Sequence, residues 1–213
     1  MTALLLDHIA LAARRLADGV AYAEAALGVA VPAGGRHPLM GTHNHLLRLG
    51  AGLFLEVIAP DPDAPPPARA RWFGLDDPQM RADLARSPRL VTWIVRTPSI
   101  EEALGTVEGA AAPAVRLTRG ALSWLILVPQ DGSMPQGGAF PTIIEWPSGP
   151  HPAERMHDHG CRLTRLTVEH PRGLQIARAL EGHLRDNRVR FREAPGIRLE
   201  AEIATPDGPR LLR

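Results

Sequence analysis

The sequence predicts an α+β fold with two tandem βαβββ modules and a third, partial βαββ unit. Strand-like apolar runs and short amphipathic segments follow one another in the same order twice along the chain. Characteristic positions also recur at similar separations. His8 and Trp93 stand 85 residues apart, and Glu56 and Glu145 stand 89 apart. The 213 residues are enough for such a duplicated body with a sizeable core.

The first module is predicted to span residues 1–63. In chain order it contains a strand at 5–13, a helix at 18–27, a Gly- and Pro-rich loop at 32–41 with room for one more strand, and strands at 42–50 and 53–60. Asp18 is the expected N-cap of the helix, and Gly28 is its expected stop. A glycine turn at residues 50–52 joins the last two strands into a hairpin.

A Pro-rich connection at residues 64–89, with a short helix or irregular crossover, leads to a second module at 90–150. The expected elements of this module are a strand at 90–97, a helix at 98–107, and strands at 113–120, 121–129 and 141–147. Ser99 is the expected N-cap of its helix. The order of elements therefore repeats that of the first module.

Residues 151–213 are predicted to form a loop and a partial βαββ unit that packs on the same body. Its expected elements are a strand at 161–171, a helix at 173–184, and strands at 188–194 and 197–204. The last strand alternates apolar and charged residues, so one face is buried and the other is exposed to water. Leu166 takes the place of His8 in this unit.

Composition excludes several classes of function. The chain has no lysine, which rules out Schiff-base chemistry, covalent pyridoxal phosphate and a Walker-type lysine. Cys161 is the single cysteine, so an intramolecular disulfide and a CxxC site are excluded. The net charge of +1 and the lack of a basic stripe argue against nucleic-acid binding. Without a signal peptide or an apolar run long enough to span a membrane, a cytoplasmic protein is expected.

Three phrases carry a family resemblance: LDHIALA, GGRHPLMGTHNHLLRLG and LFLEVIAPDP. With a His in the first strand and a Glu in the last strand of a βαβββ repeat, the chain resembles the glyoxalase-like domain branch of the vicinal oxygen chelate superfamily. That superfamily includes glyoxalase I, extradiol dioxygenases and fosfomycin-resistance proteins. The resemblance is strongest over residues 5–63, topological over 90–147 and weak beyond 160. It implies two modules packed edge to edge, with curled sheets that form a metal-binding cup.

The resemblance places the metal-ligand positions at His8, Glu56, Trp93 and Glu145. Trp93 cannot ligate a metal, so the chain departs from the family pattern and His8, Glu56 and Glu145 remain as candidate ligands. One imidazole and two carboxylates suit Fe, Mn, Ni, Co or Zn, with positions left open for substrate. Glu145 is alternatively a catalytic base beside the metal. The same residues are compatible with a cup that holds no metal.

Further residues are candidates for contact with the ligand. The resemblance implies that His43 or Asn44 touches it, with anchoring of the loop as the alternative role. The four tryptophans at positions 72, 93, 124 and 146 suit the walls of the site, with core packing as the alternative, and Trp93 and Trp146 are expected closest to the metal position. Arg36, in a long loop that suits a lid, is a candidate clamp for a substrate carboxylate.

The function expected from these residues is that of a metal-dependent lyase, isomerase or dioxygenase acting on a small, vicinally oxygenated substrate. The alternative is a metal-free protein of the same fold that binds and sequesters a small molecule. The enzyme requires His8, Glu56 and Glu145 to converge, whereas the binding protein needs only an apolar cup. We expect a small-molecule ligand, no nucleic acid and no membrane as partners, and we allow for a homodimer. The histidines at 151, 157 and 159 are expected in a solvated loop.

Overall fold

The first module has the predicted order of elements in the computed structural model, which describes residues 2–120, 122–147 and 150–213. Its elements are β1 (Leu5–Ala12), α1 (Leu16–Leu27), β2 (Ala33–His37), β3 (Thr42–Gly50) and β4 (Leu53–Pro60). The prediction of Asp18 as N-cap is wrong: α1 begins earlier, Arg15 occupies the N-cap, and Asp18 lies in the first turn, where its charge suits the helix dipole. Gly28 ends the helix with a φ of 72°, which glycine adopts without strain.

The connection contains α2 (Pro78–Arg86), and the second module follows it. The elements of this module are β5 (Arg89–Arg96), α3 (Ile100–Thr106), β6 (Ala114–Arg119), β7 (Leu122–Leu127) and β8 (Thr142–Glu145). The predicted cap of α3 is confirmed, because the Ser99 side chain accepts a hydrogen bond from the Glu102 backbone N–H. The second module thus repeats the order of the first.

The two modules join edge to edge in one sheet, with strand order β2-β3-β4-β1-β5-β8-β7-β6. Strands β1 and β5 are antiparallel at the junction, and each pairs in parallel with the last strand of its own module. The sheet curls until its edges meet, since a Cβ atom added to Gly35 in β2 would lie 2.8 Å from the Arg119 Cδ atom in β6. This arrangement confirms the predicted fold class. The division of the chain at residues 63, 89 and 150 stays a prediction.

The third unit forms a separate sheet and has one strand more than predicted. Its elements are β9 (Arg162–His170), α4 (Gly173–Ala179), β10 (Val189–Glu193), β11 (Arg198–Thr205) and β12 (Gly208–Leu212). The strand order is β10-β9-β11-β12, and β12 pairs antiparallel with β11 after a tight turn. The predicted alternation of β11 is confirmed, because Leu199, Ala201 and Ile203 are buried between more exposed neighbours.

Two hydrophobic cores lie on the two faces of the eight-stranded sheet. On the convex face, residues such as Leu47 and Trp93 pack with α1, α3 and the sheet of the third unit. On the concave face, Ile94 packs with Trp72 and Leu84 of the connection. The connection therefore fills part of the cup and leaves a narrow space. No helix in the described ranges combines the length and apolarity needed to cross a bilayer.

Candidate functional site

The concave face of the sheet encloses a narrow cavity of about 40 Å³. That volume holds on the order of three water molecules, so a larger ligand enters only when a wall moves. The walls are largely aromatic. The aromatic lining residues are Phe54, Trp72, Phe73, Trp124 and Trp146, and the polar ones are His8, His37, Asn44, Glu56 and Arg119.

A β-bulge in β1 places the side chains of Asp7 and His8 next to each other. The pairing of β1 with β5 shifts register between Leu6 and His8, which makes Asp7 the inserted residue. The two neighbouring side chains thereby meet, with His8 Nδ1 2.6 Å from Asp7 Oδ1. The imidazole also stacks on Phe54, with ring centroids 4.5 Å apart. These contacts orient His8 so that its Nε2 atom faces Glu56.

Asp7 is fully buried and satisfied by several donors. Besides the contact with His8, it accepts hydrogen bonds from Trp146 Nε1 at 3.0 Å and from His151 Nε2 at 2.9 Å, and the Arg96 guanidinium lies 3.8 Å away. Burial raises the pKa of the Asp7 carboxyl, but the hydrogen bonds from His151 and His8 outweigh burial and hold this pKa well below its ordinary value. The ionised carboxylate keeps a proton on His8 Nδ1, so Nε2 of a neutral His8 is an acceptor.

Glu56 stands beside His8 on the neighbouring strand β4. Its Oε2 atom lies 3.6 Å from His8 Nε2, and its side chain is buried. Its Oε1 atom accepts a hydrogen bond of 2.6 Å from Asn44 Nδ2. Asn44 is fixed in turn because its Oδ1 atom accepts a hydrogen bond of 2.8 Å from the Gly35 backbone N–H. An imidazole and a carboxylate therefore meet at one end of the cup, each oriented by a second polar residue.

Hydrogen-bond donors continue along the cup beyond Asn44. The Arg119 NH1 atom lies 3.5 Å from both Asn44 Oδ1 and His37 Nε2. Burial lowers the pKa of His37 to about 4, so this imidazole is neutral at neutral pH. Trp72 packs edge-on against the His37 ring, with centroids 5.0 Å apart. The buried Nε1 atom of Trp72 has no hydrogen-bond partner among the described residues.

Two predicted site residues, Trp93 and Glu145, lie on the convex side of the sheet, and their predicted place in the cup is wrong. Trp93 is fully buried in the convex-face core. Glu145 accepts a hydrogen bond of 2.8 Å from the Ile100 backbone N–H at the start of α3. The residues of β5 and β8 that reach the concave face are Ile94 and Ile144. Because a strand turns alternate residues to opposite faces, an error of one residue in register moves a side chain to the other side.

Arg36 and His43 also lie outside the cavity. The Arg36 side chain is 58% exposed and pairs with Asp61 at 3.1 Å, which removes it from the predicted role of clamp. His43 lies on the opposite face of β3 from Asn44, with its Nδ1 atom 4.0 Å from Asp61 Oδ1. Of the residues predicted to touch a ligand or to form the walls, the lining contains Asn44, Trp72, Trp124 and Trp146.

Several residues of the site were missed by sequence reasoning. Asp7 had a visible signal, since a carboxylate in the apolar run LLDHIALA requires a partner when it is buried. His151 was assigned to a solvated loop, and that prediction is wrong because its side chain is 10% exposed and bonds to Asp7. Trp72 is one of the tryptophans expected in the walls of the site, and that expectation agrees with its place in the lining. Arg119 carried a signal in the strand period, since it shares one face of β6 with Val115 and Leu117. His37 had no signal of its own, because only the curl of the sheet brings it beside Arg119.

The donors in the cup do not fit a metal centre with three protein ligands. His8 and Glu56 come from the first module, and Ile94 and Ile144 occupy the corresponding places of the second. Within the described ranges, no group of three His, Cys, Asp or Glu side chains is arranged to hold a metal ion. The guanidinium of Arg119 in the same lining opposes a second cation. The cup therefore presents one imidazole–carboxylate pair and a separate set of donors.

A Gly34→Ala substitution is expected to disturb Asn44 and, through it, Glu56. A Cβ atom at position 34 would overlap Asn44 Oδ1 and lie 3.0 Å from its backbone oxygen. Asn44 must then move and withdraw its donor from Glu56, so we expect a loss of about 1–3 kcal/mol in unfolding free energy. The measurement is the midpoint of urea unfolding at unchanged slope.

Gly105→Ala is the matched control for this experiment. Gly105 lies in α3, and an added Cβ atom there meets nothing within 4 Å. The control is expected to leave stability unchanged or to raise it by up to about 1 kcal/mol. Wild-type stability in the Gly34→Ala variant would contradict the close packing of β2 on Asn44.

Comparison with known proteins identifies a family for this chain and solved structures with a similar fold. Residues 6–184 match the model of a family described as "Glyoxalase-like domain". A hypothetical protein from Staphylococcus aureus superposes with a TM-score of 0.57 at 13% identity, over 92% of this chain and 88% of that chain. Methylmalonyl-CoA epimerase from Mycobacterium tuberculosis gives a TM-score of 0.41 at 16% identity, over 68% of this chain and 88% of that chain. A search of the curated proteins finds no match.

Proposed function

This chain belongs to the glyoxalase-like domain family, and from that premise we propose that its cup binds a small oxygenated molecule with which His8 exchanges a proton, without a bound metal. The observation that carries this proposal is the Asp7–His8 pair, 2.6 Å apart on the bulge of β1. A buried carboxylate orients the imidazole, and the Nε2 atom faces the cavity and Glu56. This is the arrangement that a general base requires.

The reaction suited to this pair is proton transfer at a carbon next to a carbonyl group. The C–H bond breaks, its proton moves to His8 Nε2, and its electron pair forms a C=C bond while the carbonyl oxygen takes the negative charge. Asp7 stabilises the imidazolium that forms, and Glu56 lies close enough to do the same. Where the carbon that loses the proton carries a hydroxyl group, the hydroxyl proton moves to the enolate oxygen, and return of the carbon-bound proton from His8 to the former carbonyl carbon completes an isomerisation. Where the adjacent carbon carries a leaving group, that group departs with its bonding electron pair, the carbonyl re-forms, and the new C=C bond completes a lyase reaction.

A second candidate function is binding without chemistry, in which the protein sequesters its ligand. The narrow cavity and the aromatic walls formed by Phe54, Trp124 and Trp146 favour retention of an apolar molecule. The two functions differ in what becomes of the ligand, because a sequestering protein releases it with all of its carbon-bound hydrogens unexchanged.

The family resemblance also implies a third candidate function, that of a metal-dependent lyase, isomerase or dioxygenase. The described part of the cup offers His8 and Glu56 but no third ligand. Calorimetric titration with Fe, Mn, Ni, Co and Zn salts, on protein purified without chelators or a tag, tests this reading. We expect no stoichiometric binding that depends on Glu56. One equivalent of metal, lost in the Glu56→Gln variant, would overturn the metal-free part of the proposal.

The proton transfer is tested by exchange in D₂O, followed by NMR for a panel of small ketones, 2-oxo acids and 2-hydroxy acids. We expect exchange at carbon that the His8→Asn variant slows by about 10²- to 10⁴-fold. Asparagine keeps a donor for Asp7, and unfolding of the variant is followed in parallel. The matched control is His157→Asn, which alters an exposed histidine and is expected to keep the wild-type rate. Binding of panel members without exchange would overturn proton transfer and support sequestration.

A further inference from the structure

We propose that the ligand of the cup is a small carboxylate, held through its carboxylate group by Arg119 and by the indole N–H of Trp72. The proposed function concerns the end of the cup at His8 and Glu56. This inference rests on that function and adds the chemical class of the substrate. In this inference Arg119 takes the role of carboxylate clamp that was predicted for Arg36. Arg36 forms an ion pair with Asp61 outside the cavity.

The Arg119 guanidinium has no counter-ion among the described residues. It is half-buried at the end of β6, lines the cup, and has no carboxylate within 4.0 Å among the described residues. Its nearest polar contacts, to His37 and Asn44, are both long at 3.5 Å. A guanidinium carries five donors and no acceptor. Partial burial without a counter-charge costs free energy that an anionic ligand would offset.

Trp72 supplies an independent observation at the same place. The residue is 3% exposed and lines the cavity, and its Nε1 atom is buried without an acceptor in the described structure. Burying an N–H group without a hydrogen bond is costly, and such groups are rare in folded proteins. Trp72 and Arg119 flank the same imidazole, that of His37. The two donors therefore converge on one region of the cup.

The backbone beside Trp72 is strained in a way that is common at binding sites. Phe73 has a φ of 58°, which is unusual for a residue with a bulky side chain. Its ring stacks on Trp72 with centroids 5.3 Å apart, and both rings line the cup. Strain of this kind persists where the surrounding structure holds a side chain in a required position. Here the strained residue is Phe73, and its ring stacks on the Trp72 indole, whose N–H has no partner among the described residues.

The donor set selects a carboxylate among small ligands. Arg119 and Trp72 offer donors only, so the ligand must supply acceptors. The positive charge of Arg119 favours an anion over a neutral acceptor, and the planar guanidinium matches the two oxygens of a carboxylate. Among the described residues the lining contains a single arginine, and the space is narrow, which suits one negative charge better than the two of a phosphate.

Asn44 sets the distance between the acid group of the ligand and its reacting carbon. Its Oδ1 atom lies 3.5 Å from Arg119, and its Nδ2 atom donates to Glu56, the neighbour of His8. The side chains of Asn44 and Glu56 thus lie between the carboxylate-binding end and the base. The narrow cavity favours short acids with the carbonyl or hydroxyl group next to the carboxylate, the 2-oxo and 2-hydroxy acids.

Binding of isobutyrate and isobutyramide tests the proposal, because the two molecules share one shape and differ in charge. Tryptophan fluorescence reports binding, since Trp72, Trp124 and Trp146 line the cup. We expect isobutyrate to bind about ten-fold or more tightly than the amide. Arg119→Gln is expected to abolish this preference, and Trp72→Phe to weaken isobutyrate binding alone. The matched control is Arg116→Gln, an exposed arginine on the same strand, which should keep the preference.

Three outcomes would overturn the proposal. They are equal binding of acid and amide to the wild type, an unchanged preference in the folded Arg119→Gln variant, and inorganic phosphate binding through Arg119 more tightly than isobutyrate. Isobutyrate reports on binding without any proton transfer. Carboxylate preference without exchange in the ketone and acid panel would therefore refute the proposed reaction and leave this inference standing. Exchange without carboxylate preference would refute this inference alone.

Discussion

Replacing Asp7 with asparagine is expected to destabilise the protein by about 3 kcal/mol and to slow the proposed proton exchange by about 10²- to 10⁴-fold. Asp7 is fully buried and accepts hydrogen bonds from His8, Trp146 and His151. An asparagine would turn one oxygen into a donor that faces other donors. It would also remove the buried negative charge beside Arg96. Both changes leave polar groups unsatisfied in a medium of low polarity.

The effect on exchange follows from the state of His8. Without the carboxylate, its Nδ1 atom is no longer held as a donor, and the imidazolium loses its counter-charge. Urea unfolding measures the stability, and ¹⁵N NMR of the imidazole reports the tautomer. The control is Asp207→Asn, which alters an exposed carboxylate and should change stability by less than about 0.5 kcal/mol. Unchanged stability and tautomer in the Asp7 variant would refute the role assigned to the pair.

The stability of the protein is expected to fall as the pH is lowered from about 6.5 toward 4, in part because of His37. Burial lowers the pKa of His37 in the folded protein to about 4, whereas the unfolded chain titrates near 6.5. The unfolded state therefore binds more protons across this window, so stability rises with pH there. For this residue alone the loss between about pH 7 and about pH 4.5 is about 2 kcal/mol.

The contribution of His37 is isolated by comparing unfolding free energies of the wild type and His37→Asn at several pH values. The variant is expected to be less stable at neutral pH and to show the flatter dependence on pH. His157→Asn removes an exposed histidine and is expected to follow the wild-type slope. Parallel curves for the wild type and His37→Asn would show that His37 is not held neutral by burial.

The elements of the fold were predictable where turn chemistry and periodicity agree. Strands β3 and β4 coincide with the predicted 42–50 and 53–60, because a glycine turn separates two apolar runs. Ser99 was recognisable as a cap from its place before an amphipathic run. The family match over residues 6–184 confirms the resemblance read from the first module. In these segments the turn residues, the caps and the hydrophobic period all favour the same elements that the folded chain forms.

The sequence of the second module does not show which residues of its strands β5 and β8 face the cup. Strand β5 is buried on both faces apart from its ends, so its sequence carries no alternation to show which residues face the cup. Strand β8 has only four residues, three of them buried. Trp93 and Glu145 were therefore placed one position away from Ile94 and Ile144. A strand with one wet face, such as β11, does not present this ambiguity.

The remainder of the site depends on contacts between distant segments. Arg119 shares one face of β6 with Val115 and Leu117, but its contacts form only when the sheet closes and brings β2 against it. Trp72 was a candidate for the walls by residue type alone, because the connection that carries it into the cup has no regular period to show an inward face. The bulge at Asp7 inserts a single residue whose position no local pattern reveals. These features follow from tertiary closure rather than from propensity.

The apolar side chains of Ile94 and Ile144 bear on the stereochemistry of the proposed proton transfer. His8 and Glu56 belong to adjacent strands of one module, and the related positions of the other module carry side chains that neither take nor give a proton. Inversion of a stereocentre removes a proton from one face of a planar intermediate and returns one to the opposite face, which requires bases on both faces. Because His8 and Glu56 lie in one half of the cup, we expect the proposed proton transfer to act on a single enantioface and to give a product of one handedness.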